Sequence, residues 1–117
     1  MVFNLNNKKL ALVIFGSPKK NGFTASLLND FISEINDDYE IDVLNAYEKK
    51  ISPCIDCGFC KSHDACIYND LDQFDLLLKS ADLIIIATPI YNLSFPAPLK
   101  AVFDRMQRYF EARFTRN

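Results

Sequence analysis

The chain has 117 residues, half of them hydrophobic and 24% charged, with 13 lysines and arginines against 15 acids. That composition excludes a disordered segment and fits one soluble globular domain, while a net charge of -2 leaves no basic field for nucleic acid phosphates. The N-terminal MVFNLNNKKLALVIFGSPKK sets lysines before an apolar run too short to span a membrane, and no small-residue cleavage site follows. The expected location is therefore the cytoplasm, where thiols stay reduced.

In chain order, Leu10 to Phe15 is apolar without alternation, as a strand covered on both faces of a parallel sheet should be. From Thr24, the residues Ala25, Leu27, Leu28, Phe31, Ile32 and Ile35 recur at helical spacing and predict an amphipathic helix. Tyr39 to Leu44 alternates loosely and reads as a strand near a sheet edge. A four-cysteine loop over about residues 50–69 is expected to be irregular. Asp70 and Gln73 resemble a capping box that opens a second helix with Leu71, Phe74, Leu77 and Leu78 on its buried stripe. Asp82 to Ala87 is a second continuously apolar run, expected as a central parallel strand that Pro89 stops. Leu99, Val102, Phe103, Met106, Phe110 and Phe114 mark a third helix with a wide apolar face. Alternating strands and helices with right-handed crossovers predict a doubly wound α/β fold, and no repeat or linker divides residues 1–117.

Ligands of open α/β sheets bind beyond the carboxyl ends of the strands. The first such loop, Gly16-Ser-Pro-Lys-Lys-Asn-Gly-Phe-Thr24, opens directly into a helix N-terminus, where free N–H groups and the macrodipole favour phosphate. Ser17, Asn21 and Thr24 supply donors and Lys19 or Lys20 a charge; the plainer reading is a capped turn. The loop after the third strand, Thr88 to Pro98, gathers three prolines, two aromatics and polar side chains where a planar ring can lie. Prolines also serve simply to stop strands and start helices.

All four cysteines fall in CIDCGFCKSHDAC as C-x2-C-x2-C-x5-C. Four thiolates at this spacing suit a [4Fe-4S] cluster. Zinc accepts the same donors, although its sites usually split into two separated pairs. Free thiols are the third reading, and His63, alone on a polar loop, is expected to face solvent.

GSPKKNGFTASLL, CIDCGFC and TPIYNLSFPAPLKAVFDR, in this order along nearly the whole chain, closely resemble the flavodoxin-like NAD(P)H-dependent FMN reductases, including their iron-sulfur flavoprotein branch. The resemblance implies a flavodoxin-like doubly wound parallel sheet truncated to about three strands of order 2-1-3, incomplete at the C-terminus relative to the family's five. It implies FMN, with its phosphate held by Ser17, Lys19, Asn21, Thr24 and Ala25. Pro89, Ile90, Tyr91, Asn92, Leu93 and Ser94 would line the ring and ribityl chain, Tyr91 and Asn92 nearest the ring. Cys54, Cys57, Cys60 and Cys66 would be the cluster ligands. Two departures are Lys19, where an arginine is common, and Phe23, where a small polar residue is usual.

The implied activity is oxidoreduction, with NADH or NADPH reducing FMN and electrons passing to a flavin, quinone or other acceptor. No side-chain acid or base is required, so no catalytic residue is named. An iron-sulfur flavoprotein acting as an electron carrier and a non-catalytic zinc-binding module are the alternatives. An uncovered third strand and the apolar third helix predict a homodimer or higher homo-oligomer.

Overall fold

The computed structural model describes residues 8–109. Its elements are β1 (Lys9–Phe15), α1 (Phe23–Ile35), β2 (Tyr39–Asn45), α2 (Ala46–Lys49), α3 (Phe59–Ser62), α4 (Asp72–Ser80), β3 (Leu83–Ala87) and α5 (Ala97–Asp104). The strands form one parallel sheet of order β2-β1-β3, as the family resemblance implies. After β2 the chain crosses to the other side of β1, so β1 and β3 flank the point where strand order reverses.

The unbroken apolar run of β1 makes it the centre of the molecule. Leu12, Val13 and Ile14 are wholly buried, each contributing roughly 1.5–3 kcal/mol relative to an exposed side chain. Alternate residues of the strand face opposite layers. Val13 and Phe15 pack with Ala25 and Leu28 of α1, whereas Leu12 and Ile14 pack with Ala46, Leu71, Phe74, Leu99 and Val102. Leu99 and Val102 are fully buried, and Phe103 and Met106 pack against the same cluster. The described part of the third helix's apolar face is thus turned into the core; Phe110 and Phe114 lie outside the described residues.

Four local expectations change. The third strand is not covered on both faces: among the described residues nothing pairs with its outer edge, and Ile84 and Ile86 are 46% and 49% exposed. Leu27 and Phe31 of α1 also face outward, at 74% and 47%, and border a cleft with Ile85 and Ile86. The cysteine segment is not wholly irregular, because Phe59–Ser62 makes one helical turn. The capping box does not form: α4 is preceded by Leu71, and no side chain caps it. Asp70 instead accepts a hydrogen bond from the Ser52 N–H at 2.8 Å and pairs with Arg105 at 2.7 Å, a long-range use of its carboxylate that outweighs the local one.

Candidate functional site

The loops after β1 and β3 leave the sheet side by side. Phe15 lies opposite Ala87 in the parallel register, and the Gly16 N–H donates to the Ala87 carbonyl at 2.9 Å. Gly16 is required by close approach: a Cβ there would sit 2.8 Å from Leu99 Cδ2. The chain then turns at Ser17, whose buried hydroxyl accepts from the Lys19 N–H at 3.2 Å and faces the Lys19 carbonyl at 3.4 Å. This closure orders the loop ahead of α1. Gly22 is the N-cap of that helix, no side chain caps it, and its first turn carries no acid. Its leading N–H groups and positive dipole end are therefore available to an anion.

The sequence-predicted residues group around this end. Lys19 and Asn21 are exposed, Thr24 is half-buried and Ala25 is buried. Among the described residues the side chains of Asn21 and Thr24 have no hydrogen-bond partner. Lys20 turns away to pair with Glu48 at 2.8 Å, leaving Lys19 as the loop's charge donor. Phe23 projects into solvent at 96% exposure.

Beyond β3, Tyr91, Asn92, Leu93 and Ser94 form a tight turn. The Tyr91 N–H donates to the Ser94 carbonyl and the Ser94 N–H to the Tyr91 carbonyl, at 2.6 and 3.0 Å. Asn92 and Leu93 both have positive φ, 51° and 69°. Asparagine tolerates this region, but leucine does so at a cost of about 1–2 kcal/mol. The turn presents Ile90, Tyr91 and Leu93 outward, Leu93 at 98% exposure, while the Thr88 hydroxyl donates to the Pro89 carbonyl. Tyr47 stands near Tyr91; burial and then the charge of Tyr91 raise its pKa. Sequence reasoning passes over Tyr47 because it lies in α2, a single turn capped by Asn45 Oδ1.

The second assembly is the cysteine loop. Cys54, Cys57, Cys60 and Cys66 line one cavity together with Tyr68, Arg105 and Arg108. None of the four is in a disulfide; Cys54 and Cys57 are exposed and the other two half-buried. Asp56 and Gly58 take left-handed conformations, at φ 52° and 81°, to bend the chain between sulfurs. The Asp56 N–H points at Cys54 Sγ, 3.5 Å away, and hydrogen bonds to sulfur are among the features that tune iron-sulfur sites.

Among the described residues, no group of three or more histidine, cysteine, aspartate or glutamate side chains is placed to hold a metal ion. A four-iron cluster takes one sulfur at each corner and so needs a wider ring than zinc, which draws its sulfurs to about 2.3 Å from one point. His63 is exposed, stacks on Phe59 at 3.9 Å and keeps Nδ1 against the Phe59 carbonyl, off the cavity wall.

Arg105 and Arg108, which sequence reasoning misses, are each only 6% exposed. Arg105 donates to the Ser52 carbonyl at 2.9 Å and the Tyr68 carbonyl at 3.2 Å, and lies over the Tyr68 ring. Arg108 pairs with Asp75 and donates to the Asp64 carbonyl at 3.0 Å. Tyr109 donates to Asp75; burial first, then that carboxylate, raise its pKa. The available signal is the position of Arg105, three places after Val102 on an otherwise buried helix stripe.

A 2-1-3 parallel sheet with paired loops at the β1/β3 reversal defines a flavodoxin-like α/β domain. The chain belongs to the NADPH-dependent FMN reductase family, whose profile matches residues 10–116. It is 34% identical over 101 residues to an iron-sulfur flavoprotein of Archaeoglobus fulgidus, covering 85% of this chain and 46% of that one. An iron-sulfur flavoprotein of Methanosarcina thermophila is 33% identical over 94 residues, with 79% and 49% covered. An FMN-dependent NADH:quinone oxidoreductase of Metamycoplasma arthritidis is 31% identical over 107 residues, with 84% and 52% covered. The chain thus spans about half the length of the curated relatives it matches. Among solved structures, an NAD(P)H:quinone oxidoreductase from Methanothermobacter marburgensis shares the fold, with a TM-score of 0.72 at 17% identity over 84% of this chain and 53% of that one. No described helix is long and apolar enough to cross a membrane.

Proposed function

We propose that the protein is an FMN-binding oxidoreductase domain that draws electrons from NADH or NADPH and passes them to a flavin, quinone or other acceptor. The observation that carries this reading is the uncapped, acid-free N-terminus of α1 beside the turn at the end of β3. When bound, FMN would supply hydride acceptance and the release of electrons to the acceptor. The chain's own residues bind and orient it. The α1 N–H groups with Ser17, Asn21, Thr24 and Lys19 hold the phosphate, and Ala25 lets the helix approach closely. The backbone and side chains from Pro89 to Ser94 hold the ring, Tyr91 and Asn92 nearest it.

Cys54, Cys57, Cys60 and Cys66 would hold a [4Fe-4S] cluster, whose chemistry is one-electron exchange. Convergence on one cavity with two buried guanidiniums supports this, as do the printed names of the archaeal relatives. The protein works in the cytoplasm as a homodimer or higher oligomer that covers the open β3 edge. A pure electron carrier is the second reading, favoured by the cysteine cavity; it predicts no steady-state oxidation of NADH or NADPH. The binding reading is tested by FMN titration of wild type and Thr24→Val. Loss of one hydroxyl donor to a charged phosphate should weaken binding by about 1–3 kcal/mol. Equal affinities would remove α1 from the site.

A further inference from the structure

The four-cysteine segment begins two residues after Ser52 and ends two residues before Tyr68. One side chain holds both flanks: Arg105 Nη1 donates to the Ser52 carbonyl and Nη2 to the Tyr68 carbonyl. We propose that Arg105 is the positioning residue of the cysteine centre, clasping the two ends of its loop to the end of α5 and facing the thiolates with a fixed buried cation. The inference rests on the reading of the cysteines as a cluster site.

Three observations carry it. Arg105's side chain is only 3% exposed, yet its Nε has no hydrogen-bond partner among the described residues while the residue lines the cysteine cavity. A buried unpaired donor of a charged group costs free energy, and anionic sulfur in that cavity would offset it. Second, the charge is held rigidly: Asp70 anchors Nη1 at 2.7 Å and itself accepts from the Ser52 N–H.

Third, the fork is specific to arginine. Lysine offers a point charge and cannot reach two carbonyls in fixed directions. The clasp also joins the two assemblies, because α5 starts at Ala97, with Pro96 as its N-cap just after the β3 turn, and its eight residues span about 12 Å to Arg105. The cysteine loop is therefore fixed to the helix that the ring-lining loop leads into.

The clasp and the charge are separated by two variants. Arg105→Lys keeps the cation and loses the fork. Arg105→Gln with Asp70→Asn removes both charges and leaves neutral hydrogen-bonding groups, so neither residue is stranded as an unpaired ion; cooperative thermal unfolding checks that each folds. In metal-free protein, tryptic cleavage after Lys61, inside the loop, should be at least about tenfold faster in both variants. After anaerobic reconstitution with iron and sulfide, the double variant should show a reduction potential shifted negative by at least a tenfold change in equilibrium, about 59 mV for one electron. Arg105→Lys should keep the wild-type potential. Unchanged cleavage rates in folded variants overturn the clasp. A double variant with the wild-type potential overturns the charge role. Wild type that takes up no iron overturns the cluster reading and the charge role with it, whereas the cleavage result still decides the clasp.

Discussion

Replacing Gly16 by alanine tests how the β1 loop is set against α5. The new Cβ would lie 2.8 Å from Leu99 Cδ2, 3.1 Å from its Cβ and 3.3 Å from its Cγ. Leu99 is fully buried, so its side chain has no free direction in which to yield. Overpacking of this kind costs about 1–3 kcal/mol. Leu99→Ala alone should cost about 2–5 kcal/mol, through lost burial and the cavity left behind. In the double variant, Cδ2 and Cγ are gone and only the 3.1 Å contact with Cβ remains. The cost of Gly16→Ala should then fall by about 1–2 kcal/mol, a coupling typical of residues in direct contact. Urea unfolding followed by far-ultraviolet circular dichroism supplies the four free energies, provided the denaturant slope is the same in each variant. If Gly16→Ala costs as much in the Leu99→Ala background as in wild type, the close approach does not explain the glycine.

Leu93→Gly should stabilise the protein by about 1 kcal/mol, because Leu93 is almost fully exposed at a positive φ, while weakening FMN binding; thermal melts and titration measure the two effects. Burial alone would raise the Asp70 pKa, but the Ser52 N–H and Arg105 outweigh it and the net shift is downward. Its contribution is therefore present above the ordinary aspartate value of about 3.9 and is lost as pH falls through the lower folded value. Asp70→Asn should flatten that acid limb in a pH series of melts, and an unchanged limb would show that the pair adds nothing. Sedimentation at micromolar concentration should show association, with Leu27→Glu or Ile86→Lys shifting it towards monomer if the α1 and β3 cleft is the covered face; a monomeric wild type rules this out.

The sheet was legible because β1 and β3 are continuous apolar runs and the helix between β1 and β2 has a single stripe. Strand order followed from crossover rules together with the family resemblance. The loops after β1 and β3 were legible for the same reason, since glycine, proline and hydroxyl residues sit directly at strand ends. Asp70 was misread because a local capping pattern competes with a partner 35 positions away, Arg105; only the fold reveals the partner. Arg105 and Arg108 were missed because each looks like a solvent-facing cation on a helix, although Arg105 stands on the stripe that Val102 marks as buried. Tyr47 was hidden in a one-turn helix too short to show periodicity.

The most direct test of the central claim is the visible spectrum of protein reconstituted anaerobically with FMN, iron and sulfide, freed of unbound cofactor. Wild type should show flavin bands over a broad absorbance that fades on reduction, with iron and sulfide in near-equal amounts. Cys57→Ser should keep the flavin bands and lose the broad component. Protein that retains no flavin, or a Cys57→Ser spectrum identical to wild type, would contradict a domain built to hold FMN and a four-cysteine cluster together.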